Sequence, residues 1–151
     1  MTRVAATAFA GGVVTLVLLG GTIVQTQSFV GTWVRQDTPM TMTVEMCCGS
    51  GRRLTYRVPT NGTEMIMVVE SALDGSDAAV LVGGQPSGET MAIRQVDSRH
   101  ATAVLKMNGK PFGTATGTLS ADGKTLTVED NYTSAVAGQQ VGKQTETWIK
   151  K

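Results

Sequence analysis

The stretch ATAVLKMNGKPFGTATGTLSADGKTLTV, residues 101–128, decides the fold. Ala101 to Met107 reads as a strand that runs into Asn108-Gly109, the strongest short hairpin signal in the chain. Asn and Gly both accept the positive φ that a tight, strand-matched turn demands. Phe112 to Leu119 returns, and Asp122-Gly123 turns the chain again into Leu126 and Val128. The predicted unit is therefore strand, turn, strand, turn, strand, with successive side chains on opposite faces.

The same rhythm extends in both directions. Upstream, Phe29 to Val34 opens the run, and Thr41 to Cys47 follows with Met42, Val44 and Met46 on one face. Gly49-Ser50-Gly51 turns the chain into Leu54, Tyr56 and Val58, and Pro59 to Gly62 breaks it. Met65 to Glu70 is a strong apolar strand, and Asp74-Gly75 leads to Ala78 to Val82. After Gly83-Gly84 comes a strand holding Met91, Ile93 and Val96. Downstream, Gly138 and Gly142 flank the last turn, and Thr145 to Ile149 closes the series. About ten short strands spaced roughly 8–12 residues apart predict an all-β sandwich or barrel. Short turns between consecutive strands favour an antiparallel up-and-down meander, and closing it into a barrel removes exposed edges.

Ahead of this unit, residues 4–24 carry no charge and follow Arg3. The run is long enough for a hydrophobic helix of about 20 residues, the span of a membrane. It reads as a signal peptide or an N-terminal membrane anchor within residues 1–28, and residues 29–151 read as the single domain. Gly11-Gly12 and Gly20-Gly21 dilute the run, and no A-x-A exit follows it. With either fate Arg3 stays on the cytoplasmic side, so the expected location of the domain is extracytoplasmic: periplasmic, secreted or anchored. Membrane contact is expected only through residues 4–24.

Composition narrows the function. The chain has 151 residues, with 13 Lys plus Arg against 12 Asp plus Glu. That balance argues against nucleic acid as a partner, which needs a net basic face. A hydrophobic share of 41% argues against disorder. One His and two adjacent Cys supply zinc or His-based catalysis poorly. No nucleophile motif, phosphate loop or metal-ligand spacing is present, so no enzyme activity, metal or cofactor is expected. His100, after Asp97-Ser98-Arg99, reads as a surface histidine in a turn. Arg53 and Arg57 share a strand face, which reads either as an anion clamp or as a solvated outer face.

Methionine is the unusual feature. Met40, Met42, Met46, Met65, Met67, Met91 and Met107 fall on predicted strands or next to them. Thioethers fill irregular gaps in cores and line adaptable apolar pockets. The residues expected to line a pocket are Met42, Val44, Met46, Tyr56, Met65, Met67 and Met91. Met40, Met42 and Met46 beside Cys47-Cys48 would also make a soft copper(I) site, but ligands on one short strand point to two faces. Cys47 and Cys48 have three open fates: a strained bridge to each other, a disulfide dimer through Cys47 or Cys48, or two small residues at a strand end.

Phe29-Val30-Gly31-Thr32-Trp33 resembles the Gly-x-Trp signature that opens the first strand of lipocalins. In its longer form it is similar to the opening of intracellular fatty-acid-binding proteins. Met107-Asn108-Gly109-Lys110, Leu119 to Val128 and Thr147-Trp148-Ile149 look like segments of small exported bacterial proteins of lipocalin-like type. The resemblance implies a ligand-binding barrel in which Trp33 plugs one end and Gly31 permits a close approach beside it. Only Val34 to Met40 separates Trp33 from the next strand, so a helical lid has no room. The chain ends Thr147-Trp148-Ile149-Lys150-Lys151, without the Arg-x-Tyr carboxylate clamp of fatty-acid-binding proteins. The expected function is binding of a small apolar or amphipathic ligand inside the barrel. The alternative is a non-catalytic structural or interaction domain of the cell envelope with a core filled by side chains.

Overall fold

The computed structural model describes residues 28–136 and 138–151. The hydrophobic helix expected over residues 4–24, and with it the signal or anchor, lies outside the described residues. Ten strands follow: β1 (Gly31–Arg35), β2 (Thr41–Cys47), β3 (Gly51–Thr60), β4 (Thr63–Ser71), β5 (Asp74–Val82), β6 (Gln85–Gln95), β7 (His100–Met107), β8 (Lys110–Leu119), β9 (Thr125–Tyr132) and β10 (Gly142–Lys150). Every strand pairs antiparallel with its sequence neighbour, and β1 pairs with β10, so the sheet closes into a barrel. Closure is secured by Trp33 opposite Lys150 and Arg35 opposite Trp148.

The turns are made by the expected residues with two exceptions. Asn108 and Gly109 take φ of 48° and 78° and join β7 to β8 as a two-residue hairpin, the geometry this dipeptide favours. Asp74-Gly75, in contrast, is not the turn before β5 but its first two residues. The turn is Ala72-Leu73, and Leu73 takes φ 63°. Gly75 lies at a bulge between β5 and β6, where a Cβ would come within 2.8 Å of the Arg94 guanidinium. Pro59, expected to break the chain, is likewise part of β3, and Asn61-Gly62 makes the turn. Beyond Arg57, β3 no longer has β2 beside it, so a residue without an N–H is tolerated there.

Two ends of the barrel follow from this order. One end gathers the β2–β3, β4–β5, β6–β7 and β8–β9 turns. On its β1, β2, β8, β9 and β10 side it is packed: Trp33 (0% exposed), Met42, Val44, Leu119, Leu126 and Trp148 form one buried cluster, while Arg52, Leu73 and Gln95 on the opposite side border the interior cavity. Trp33 therefore is a core plug, held by an Nε1–H bond to the Phe29 carbonyl at 2.9 Å. Gly31 beside it takes φ 140°, and a Cβ there would lie 2.6 Å from Lys150 Cε. The close approach at this glycine is thus by the Lys150 side chain, whose Nζ reaches the Ser28 carbonyl at 3.1 Å and lies 5.1 Å from the Trp33 ring centroid. The other end gathers the β1–β2, β3–β4, β5–β6, β7–β8 and β9–β10 connections and is not filled.

Candidate functional site: an interior cavity

Alternation along each strand sends one set of side chains inward. Met42 and Val44 of β2, Leu54, Tyr56 and Val58 of β3, and Met65, Met67 and Val69 of β4 enclose a cavity of about 410 Å3 together with inward residues of the remaining strands. That volume lies in the range of about 300–1,000 Å3 typical of small-molecule sites. Of the residues expected to line a pocket, Met42, Val44, Tyr56, Met65, Met67 and Met91 do so. Met46 does not: it is 60% exposed. It has the inward parity of Met42 and Val44, but it lies one residue from the end of β2, at the barrel rim, where its partner Arg52 borders the cavity and Met46 does not. Met40 also lines the cavity, so the methionines of the imagined copper cluster divide between the interior and the outer rim.

The apolar wall is interrupted by a polar patch on β1, β9 and β10, with Arg35, Asp130 and Glu146 all facing the cavity. Arg35 Nη1 donates to Glu146 Oε1 at 2.7 Å, and its Nε and Nη2 donate to Asp37 at 2.7 and 3.2 Å. Trp148 Nε1 donates to the second Glu146 oxygen at 3.1 Å. Asp130 is only 6% exposed and receives no side-chain hydrogen bond among the described residues. Burial first, then the Glu146 charge, pushes its carboxyl up to about 6, and Arg35 offsets this only in part. Burial also raises Glu89, on β6 at the same end of the cavity. Tyr56 and Tyr132 are pushed above the ordinary phenol range by burial and by the surrounding carboxylates.

These charged residues were not singled out by reading the sequence. The signal was present: Asp130 interrupts the inward series Leu126, Val128, Tyr132, and Glu146 precedes Trp148 at the same parity. A charge in register with core positions is a stronger cue than a methionine there, because charges are almost never buried without a reason.

Other candidates fall outside the cavity. Arg53 and Arg57 lie on the outer face, paired with Glu70 at 2.6 Å and Glu64 at 2.8 Å. His100 begins β7 at the packed end, with Nδ1 2.8 Å from Asp97. Cys47 and Cys48 are joined to each other at the β2–β3 turn, with Cys48 in the positive-φ region. With that bond closed, neither sulfur is free for a bridge to a second chain. Cys48 Sγ lies 3.7 Å from Glu70 Oε2, but with both sulfurs in the disulfide this grouping offers a metal no thiolate.

Fold and site together define an antiparallel ten-stranded closed β-barrel, packed around Trp33 at one end and hollow beyond that cluster. Ten strands exceed the eight usual in lipocalins. Set against family models, curated proteins and solved structures, the chain matches none of them.

Proposed function

We propose that the protein is an exported, lipocalin-like binding protein that holds a small apolar or amphipathic molecule in its barrel. The observation that carries this reading is the cavity of about 410 Å3. A barrel of this length can instead be filled by its own side chains, and a filled interior would have removed the motive. Methionine and aliphatic walls suit a ligand without rigid shape, since thioethers repack at little cost. Export is supported by the uncharged run over residues 4–24 and by the Cys47–Cys48 bond, which suits an oxidising compartment. The packed end favours the second reading, a structural domain of the cell envelope, for that half of the barrel only.

The test is native mass spectrometry of the protein isolated from its exported fraction, paired with titration of the stripped protein by Nile red, a neutral lipophilic fluorophore. The expected result is one added small molecule per chain that is lost on denaturation, and saturable one-to-one dye binding. Ala103→Trp, which places a large ring in the cavity wall, should abolish dye binding while the barrel still folds. A clean apo mass together with no saturable dye binding would overturn the reading in favour of the structural one.

A further inference from the structure

We propose that the polar patch of the cavity is a cation site: Asp130 pairs with a protonated amine at one end of the ligand, whose apolar body lies along Leu54, Met67 and Met91. The inference rests on the binding reading above and specifies the chemistry of the ligand's polar end.

Three observations carry it. First, Asp130 is more than nine-tenths buried, lines the cavity, and has no side-chain hydrogen-bond partner among the described residues. Buried polar groups in folded proteins are nearly always hydrogen-bonded, and a buried charge without a partner is costly. Second, the neighbouring groups cannot satisfy it. The Arg35 guanidinium is already shared between Asp37 and Glu146, and both Glu146 oxygens are occupied, one by Arg35 and one by Trp148. Asp130 is the carboxylate that this network leaves over. Third, the charge count at that end of the cavity is negative: Asp130, Glu146 and Glu89 face it against Arg35 alone. The second cavity-lining arginine, Arg52, is at the packed end, where its Nη1 donates to the Ser50 and Gly51 carbonyls. An anionic head group would meet repulsion where the polar contacts are. An ammonium donates hydrogen bonds, carries the complementary charge and supplies what Asp130 lacks.

The test compares three ligands of one chain length, decylamine, decanol and decanoate, by calorimetric titration of the full chain just above neutral pH and below their micelle concentrations. Decylamine should bind at least about tenfold tighter than decanol, the worth of one hydrogen bond to a charged group, and decanoate should bind weakest. Asp130→Asn should erase the preference for the amine, so that decylamine and decanol bind the variant within about twofold of each other. The wild-type comparison needs no variant, so it decides even where the substitution perturbs folding. Equal binding of amine and alcohol, or an amine preference that survives Asp130→Asn, would overturn the cation site and leave barrel binding intact. Failure of all three ligands to bind would overturn the cation site together with the binding reading.

Discussion

Asp130→Asn should make this protein more stable, and the gain should depend on pH. The carboxyl is buried and its pKa rises from 3.8 to about 6. One unit corresponds to about 1.4 kcal/mol, so the shift corresponds to at most about 3 kcal/mol. The cavity beside Asp130 is wide enough to admit water, which reduces the effective cost to about 1–3 kcal/mol. The sign follows from linkage. Between about pH 4 and pH 6 the native state keeps a proton that the unfolded chain has released, so the Asp130 contribution to stability falls as pH rises through that window. The penalty is complete above the folded pKa and absent below the unfolded one. Asp37, Asp74, Asp97 and Asp122 have lowered pKa values and act in the opposite direction, but they are common to both proteins and cancel in the difference. Urea denaturation of wild type and variant across this range gives that difference directly. It should be near zero at about pH 4 and reach about 1–3 kcal/mol in favour of Asn at about pH 8. A difference that stays flat with pH, or a variant less stable than wild type at the alkaline end, would refute the claim that Asp130 is an unpaired buried charge.

Three further outcomes follow from the packing. Met42→Ala should cost about 2–5 kcal/mol in denaturant unfolding because Met42 is buried in the packed end, while Met46→Ala should stay within about 0.5 kcal/mol; similar costs for both would contradict the rim position of Met46. Gly31→Ala should destabilise by at least about 1 kcal/mol, since its φ is strained for any other residue and the new Cβ meets Lys150, and Lys150→Ala in the same chain should return only the part due to that contact. Intact mass of the non-reduced protein should be that of a monomer lighter by two hydrogens than the reduced one, from the Cys47–Cys48 bond. Reduction should shift thermal unfolding only slightly, because a bridge between adjacent residues closes almost no chain.

How much of this was legible in advance differs from element to element. Period-2 alternation located the strands and glycine marked most of the turns between them, because a side-chain period of two and a positive φ are local properties. The errors were local too. Asp74-Gly75 looked like a turn because that dipeptide usually makes one, whereas here Gly75 accommodates Arg94 across a bulge. Six of the seven expected lining residues face the cavity, since alternation assigns parity reliably. Met46 fails because parity says nothing of depth along the barrel axis.

The residue pattern alone was enough for an all-β chain of short antiparallel strands and most of its turns, because each depends on residues close together; the Trp33 plug, implied by the resemblance, is made by Leu119, Leu126 and Trp148 from the far end of the domain. The tertiary structure decided the rest. Closure of β1 on β10 joins segments at opposite ends of the domain, as in the Arg35–Glu146 pair 111 residues apart. It also decided that the interior fills around Trp33 and stays hollow beyond it, and that Asp130 faces inward without a side-chain hydrogen-bond partner among the described residues. These are properties of side chains meeting across the barrel, and a pattern with a period of two residues carries no information about which strand lies opposite.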